Sequence, residues 1–129
     1  MLKAVLFDAA ETLIRPWPSY GAVYARVTAA FGMRIPAEFF AEEMKRAFRA
    51  VDWPLRTDSD TERRLWLEVT RKVYEALPAD LPFHKWSGAV YQAFGSQDSW
   101  VVEPGAAETL RALQGLGLRT AVVSNWDER

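Results

Sequence analysis

A carboxylate at the end of an apolar run is the first group in this chain that could do chemistry. Ala4, Val5, Leu6 and Phe7 are all apolar and Asp8 follows them. Four apolar residues in succession predict a strand buried on both faces of a parallel sheet. Open α/β sheets bind ligands in the crevice outside the carboxyl ends of their strands, which is where Asp8 falls. An aspartate with an ordinary pKa of about 3.9 is ionised at neutral pH, so it can attack phosphorus or carbon without a base. The plainer alternative is that Asp8 only ends a strand or caps a helix. A second such place lies at the other end of the chain, where the strand predicted over Leu118 to Val123 ends on Ser124-Asn125. Taken alone, Ser-Asn at a strand end is a turn or a helix N-cap.

The remaining reactive residue types offer less. His84 is the single histidine; with no His, Cys or carboxylate spaced to complete a ligand set, it reads as a surface or capping residue. The chain has no cysteine, which excludes disulfides, thiolate catalysis and Cys-zinc sites. Arg46 and Arg49 lie mostly opposite an apolar helical stripe and read as solvated, with the lining of an anion pocket as the alternative. Trp53, Trp66 and Trp86 stand at positions that helix packing explains, whereas Trp17 and Trp126, each just after a candidate motif, fit a pocket wall and packing equally well.

Positioning Asp8 and Ser124 takes an α/β framework. The 129 residues are 50% hydrophobic, enough for one ordinary domain or a core with a small insert. Between the two strands the pattern is almost entirely helical. Ser19 caps a helix carrying Tyr20, Val23, Tyr24, Val27 and Phe31, and Gly32 ends it. Further helices are predicted over Pro36 to Val51, from a Ser59–Glu62 capping box to about Leu77, and over Pro82 to Phe94. The two prolines of Ile14-Arg15-Pro16-Trp17-Pro18 predict a break in regular structure, a hinge or flap. A short helix from Ala106 to Leu116 leads into the last strand. The net charge of −1 leaves no basic footprint for nucleic acid. The chain lacks a signal-peptide pattern and any apolar run of membrane-spanning length, so a cytoplasmic protein with no membrane partner is expected.

The strand ending at Asp8-Ala9-Ala10-Glu11-Thr12 resembles the first motif of the haloacid dehalogenase-like (HAD) hydrolase superfamily, an apolar strand followed by Asp-x-Asp-x-Thr. Val122-Val123-Ser124-Asn125 resembles the second motif, and Glu103-Pro104-Gly105-Ala106 its approach. The two motifs stand in the family's order, separated by a helical stretch where the dehalogenase-like subfamily carries its cap. The resemblance implies a Rossmann-like α/β core formed by residues 1–16 and 98–129, of which only two core strands are present, with a helical cap at 17–97. It further implies Asp8 as covalent nucleophile, Thr12 as its support, and Ser124 and Asn125 as donors to a small anionic substrate.

Two positions depart from the pattern. Ala10 stands where most phosphatases of the family have a second Asp as general acid/base, and Glu11 where Gly is usual. By the same resemblance Mg²⁺ would be held by the Asp8 carboxylate and the Ala10 main-chain carbonyl if the protein is phosphatase-like, and no metal is needed if it is dehalogenase-like. Ala10 keeps the carbonyl and loses the proton donor, which favours leaving groups that need no proton, a halide or a good phosphate leaving group such as an acyl phosphate. The different-class alternative is an inactive HAD-fold module that binds a protein partner. Because a strand meant to be covered on both sides has one parallel neighbour, the chain is expected to be part of a longer protein. Alone it is expected to be unstable or to associate through the uncovered sheet, without turnover.

Overall fold

A computed structural model describes residues 2–56 and 58–124. The elements are β1 (Ala4–Phe7), β2 (Ile14–Pro16), α1 (Tyr20–Ala30), α2 (Ala37–Ala50), α3 (Ser59–Glu75), α4 (Phe83–Gly95), β3 (Trp100–Val102), α5 (Ala106–Gly115) and β4 (Arg119–Val122). The chain is α/β, as expected, with β1 and β4 paired in parallel.

The apolar core sits among α1 to α4. Tyr24, Phe40, Val69, Val73, Trp86 and Val90 form its buried centre, drawn from the helical stripes visible in the sequence. Tyr24 stacks on Phe40 with ring centroids 5.7 Å apart and tilts against Trp86 at 5.9 Å. The Trp86 indole N–H donates to Thr28 Oγ1 at 3.0 Å, and that hydroxyl donates to the Tyr24 carbonyl at 2.8 Å. Burying the largest side chain of the block therefore leaves its polar atom satisfied. Helices α1 and α2 meet closely at Gly21, where an added Cβ would run into the Ala37 carbonyl.

Three expectations are corrected. β1 is not buried on both faces: its residues alternate between exposed and half-buried, and Leu6 is 65% exposed. β4 alone pairs with it among the described residues, and α1 to α4 bury their apolar faces chiefly against one another. The segment Ile14 to Pro16 does not break structure but forms β2, antiparallel to β3, with Pro16 opposite Trp100. A two-stranded ribbon has only edges, where a residue without an N–H is tolerated. The Trp17 N–H continues the tie by donating to the Ser99 carbonyl at 2.8 Å, and Arg15 pairs with Glu103 at 3.4 Å. Last, α3 is capped by Asp58 rather than Ser59: the Asp58 carboxylate accepts from the Thr61 N–H at 2.8 Å, which places Ser59 inside the first turn. That bond also holds the Asp58 carboxyl below its usual range.

Candidate functional site

In-register pairing brings the two motif ends together. Phe7 lies opposite Val122, and the Val123 N–H adds one more rung by donating to the Phe7 carbonyl at 2.8 Å. Asp8 and Ser124 therefore leave neighbouring strands at the same carboxyl edge of the sheet. Asp8 is exposed and Ser124 half-buried. The Ser124 Oγ is itself buried and has no hydrogen-bond partner among the described residues. A buried hydroxyl left in that state costs about 1–3 kcal/mol, so such a group suits a donor that meets its acceptor in a ligand. Asn125 and Trp126 lie outside the described residues.

After Asp8 the chain folds into a tight turn. Leu13 and Ile14 both donate their N–H groups to the Ala9 carbonyl, at 2.8 and 3.1 Å, and the Glu11 N–H donates to the Ile14 carbonyl at 2.7 Å. These bonds run through the backbone, and Thr12 lies exposed on the turn. The Ala10 carbonyl takes no part in them. Glu11 has φ of 61°, in the left-handed region. A residue with a Cβ is disfavoured there and glycine is not, which gives a physical reason for glycine being usual at this position.

The Asp8 carboxylate and the Ala10 carbonyl supply oxygens of the kind Mg²⁺ takes, a cation that keeps several waters and is often held by only one or two protein carboxylates. Among the described residues no cluster of three His, Asp or Glu side chains adds to them.

A cavity of about 290 Å³ opens between the turn and the helices, with Ala10 in its wall. Tyr20, at the start of α1, also lines it. Burial, and then the Glu11 and Asp8 carboxylates, push the Tyr20 phenol up to about 12. It stays protonated at neutral pH and can act as a hydrogen-bond donor.

The other flagged side chains fall elsewhere. Arg46 is exposed and pairs with Glu43 at 2.7 Å, and neither it nor Arg49 lines the cavity. The arginine that does is Arg63, whose guanidinium lies 5.2 Å from the Tyr91 ring centroid. Sequence reasoning missed it because exposed charges on α3 look alike until Tyr91 on α4 selects one. Trp17 is 50% exposed and outside the cavity wall. His84 is exposed and contributes to the wall from α4. Trp86 is buried as expected, while Trp53 and Trp66 are half-buried and pack against Phe48 at 4.7 and 5.3 Å.

A family model for haloacid dehalogenase-like hydrolases matches residues 2–129. The chain is similar to haloacid dehalogenase-like hydrolase domain-containing protein 3 of Xenopus tropicalis, at 28% identity over 99% of this chain and 71% of the relative. The proteins of the same name from Bos taurus and Homo sapiens are 28% and 27% identical over 99% of this chain. The chain spans 53% of the length of each of these two.

Proposed function

Because the chain belongs to the haloacid dehalogenase-like hydrolase family, we propose that it carries the nucleophilic half of a hydrolase site. In this reading the Asp8 carboxylate forms an aspartyl-enzyme intermediate with a small anionic substrate, and residues 17–97 act as a cap over the site. The observation that carries it is that Asp8 and Ser124, whose buried hydroxyl has no partner among the described residues, leave neighbouring parallel strands at the same carboxyl edge. A carboxylate nucleophile needs electrostatic help to approach an anion, and donors fixed in advance supply it. Ser124 donates its hydroxyl to the substrate's anionic oxygens and the Tyr20 phenol offers a second donor from the cap side. Asn125 would add its amide and Thr12 would steady the turn.

Mg²⁺, if bound, would be held by the Asp8 carboxylate and the Ala10 carbonyl and would neutralise charge during phosphoryl transfer. The Ala10 methyl cannot protonate a departing oxygen. The site therefore favours substrates whose leaving group departs as an anion, a step for which a positioned acid would otherwise contribute roughly 10²- to 10⁴-fold. The protein is read as acting in the cytoplasm on a small molecule, not on nucleic acid or membrane.

Adduct trapping tests this. Acetyl phosphate or a 2-haloacid is added, the protein is quenched, and the peptide bearing Asp8 is examined by mass spectrometry. A phosphoryl adduct or an alkyl ester on Asp8, absent from Asp8→Asn, is expected, and which one forms separates the two chemistries. No adduct on the wild-type protein, or the same adduct on Asp8→Asn, overturns the reading.

A further inference from the structure

We propose that the cavity between Ala10 and the helices holds the aromatic body of the substrate, so that the protein acts on aryl phosphate monoesters. This rests on Asp8 being the nucleophile and adds the identity of the group it releases. Two independent features point the same way, the shape and chemistry of the cavity and the residue at its contact with the catalytic turn.

The wall is aromatic. Tyr20 and Tyr24 from α1, Trp66 from α3 and Tyr91 and Phe94 from α4 contribute to it. Several of its hydroxyls are satisfied within the wall. The Tyr24 hydroxyl bonds Thr70 Oγ1 at 3.2 Å, and Thr70 Oγ1 also bonds the Trp66 carbonyl at 2.9 Å. Ser87 Oγ donates to the His84 carbonyl at 3.4 Å. The polar groups that remain are Tyr20, Arg63 and His84, and Arg63 lies over the Tyr91 ring, so the wall is mostly ring faces with a few donors and suits a flat aromatic group better than the several hydroxyls of a sugar or glycerol. A cavity of roughly 150 Å³ lined by apolar side chains accepts benzene; the 290 Å³ here matches two fused rings.

Ala10 is the second feature. It lines this cavity at the position where an acid would otherwise protonate the leaving oxygen. An aryloxide is a far better leaving anion than an alkoxide, so an aromatic body next to Ala10 removes the need for that acid. An Asp8 oxygen bonds phosphorus as the aryl oxygen–phosphorus bond breaks. The electron pair leaves on the aryloxide, which takes a proton from water. A second water then hydrolyses the aspartyl phosphate, releasing phosphate and restoring the carboxylate.

Calorimetric titration of the Asp8→Asn protein separates this inference from the nucleophile assignment, because it reads binding without turnover. 2-Naphthyl phosphate is expected to bind at least tenfold more tightly than glycerol 3-phosphate in magnesium-containing buffer. Gly88 lines the cavity and an added Cβ there meets no atom within 4 Å, so Gly88→Leu in the same background should keep the thermal midpoint and weaken naphthyl phosphate binding at least tenfold. Ala10→Leu, from the opposite element, should do the same. Equal affinities for the two esters, or naphthyl affinity indifferent to both fillings in folded protein, would overturn the proposal. The nucleophile assignment fails separately, if no adduct forms on Asp8.

Discussion

Glu11 is the one non-glycine residue with positive φ among the described residues, and it stands in the turn that follows Asp8. Left-handed backbone costs a residue with a Cβ roughly 1–2 kcal/mol, and glycine returns part of that gain as extra freedom in the unfolded chain, about 0.4–1 kcal/mol. Glu11→Gly is therefore expected to stabilise the protein by about 0.5–1 kcal/mol, read as a higher urea midpoint at unchanged slope. Tyr20 gives a pH signature of the same neighbourhood. Its folded pKa, pushed up to about 12, lies above the ordinary value of 10.0, so below pH 10 both folded and unfolded states hold the proton and the full stability is present. As pH rises from 10 through 12 the unfolded state releases the proton first, and stability falls. Tyr20→Phe should show a smaller loss than wild type between pH 9 and pH 11 in denaturant titrations, and an identical loss in the two would refute the raised Tyr20 pKa. Removing the Glu11 charge should move the same titration downward.

At the level of elements, the helical block stands on close approach as much as on apolar area. The Gly21 contact with Ala37 leaves no room for a methyl group, so Gly21→Ala should cost about 1–3 kcal/mol through overpacking, despite alanine's better helix propensity. A thermal midpoint equal to wild type would show that α1 and α2 can slide apart. This contact also marks what could be read beforehand. The helices were legible because Tyr24, Val27, Phe40, Met44, Val69 and Val73 repeat at helical spacing, a local pattern that survives without knowledge of partners. The Asp8 and Ser124 ends were legible because parallel strands place their carboxyl ends together. β2 was not, because its pairing with β3 is a contact between residues more than eighty positions apart, and two prolines outweighed it locally. The cavity wall was illegible for a related reason: Tyr20, Trp66 and Tyr91 each look like ordinary stripe residues, and only the packing of α1, α3 and α4 leaves a space between them. The cap of α3 shifted by one residue because Asp58 and Ser59 are both good caps, and side-chain geometry chose between them.

On the scale of the whole molecule, the buried core belongs to the helices and the parallel sheet is the bare part. Side chains alternate along a strand, so Leu2, Ala4 and Leu6 share one face with Arg119, Ala121 and Val123 of the neighbouring strand. All six are exposed, with Leu2 at 67%, Leu6 at 65% and Val123 at 63%. β1 and β4 also each keep an unpaired edge among the described residues. A face that is apolar but for Arg119 and bordered by open strand edges is a template for association, and a second copy carries the same patch, which is the condition for a self-complementary two-fold contact. The 129-residue chain is therefore expected to self-associate, its weight-average mass in sedimentation equilibrium rising with concentration. Leu6→Lys with Val123→Lys puts like charges across the contact and should shift the protein toward monomer without lowering its thermal midpoint, because neither side chain is part of the helical core. A wild-type chain that stays monomeric at the highest soluble concentration, or association indifferent to the double substitution, would show that this face is not the contact.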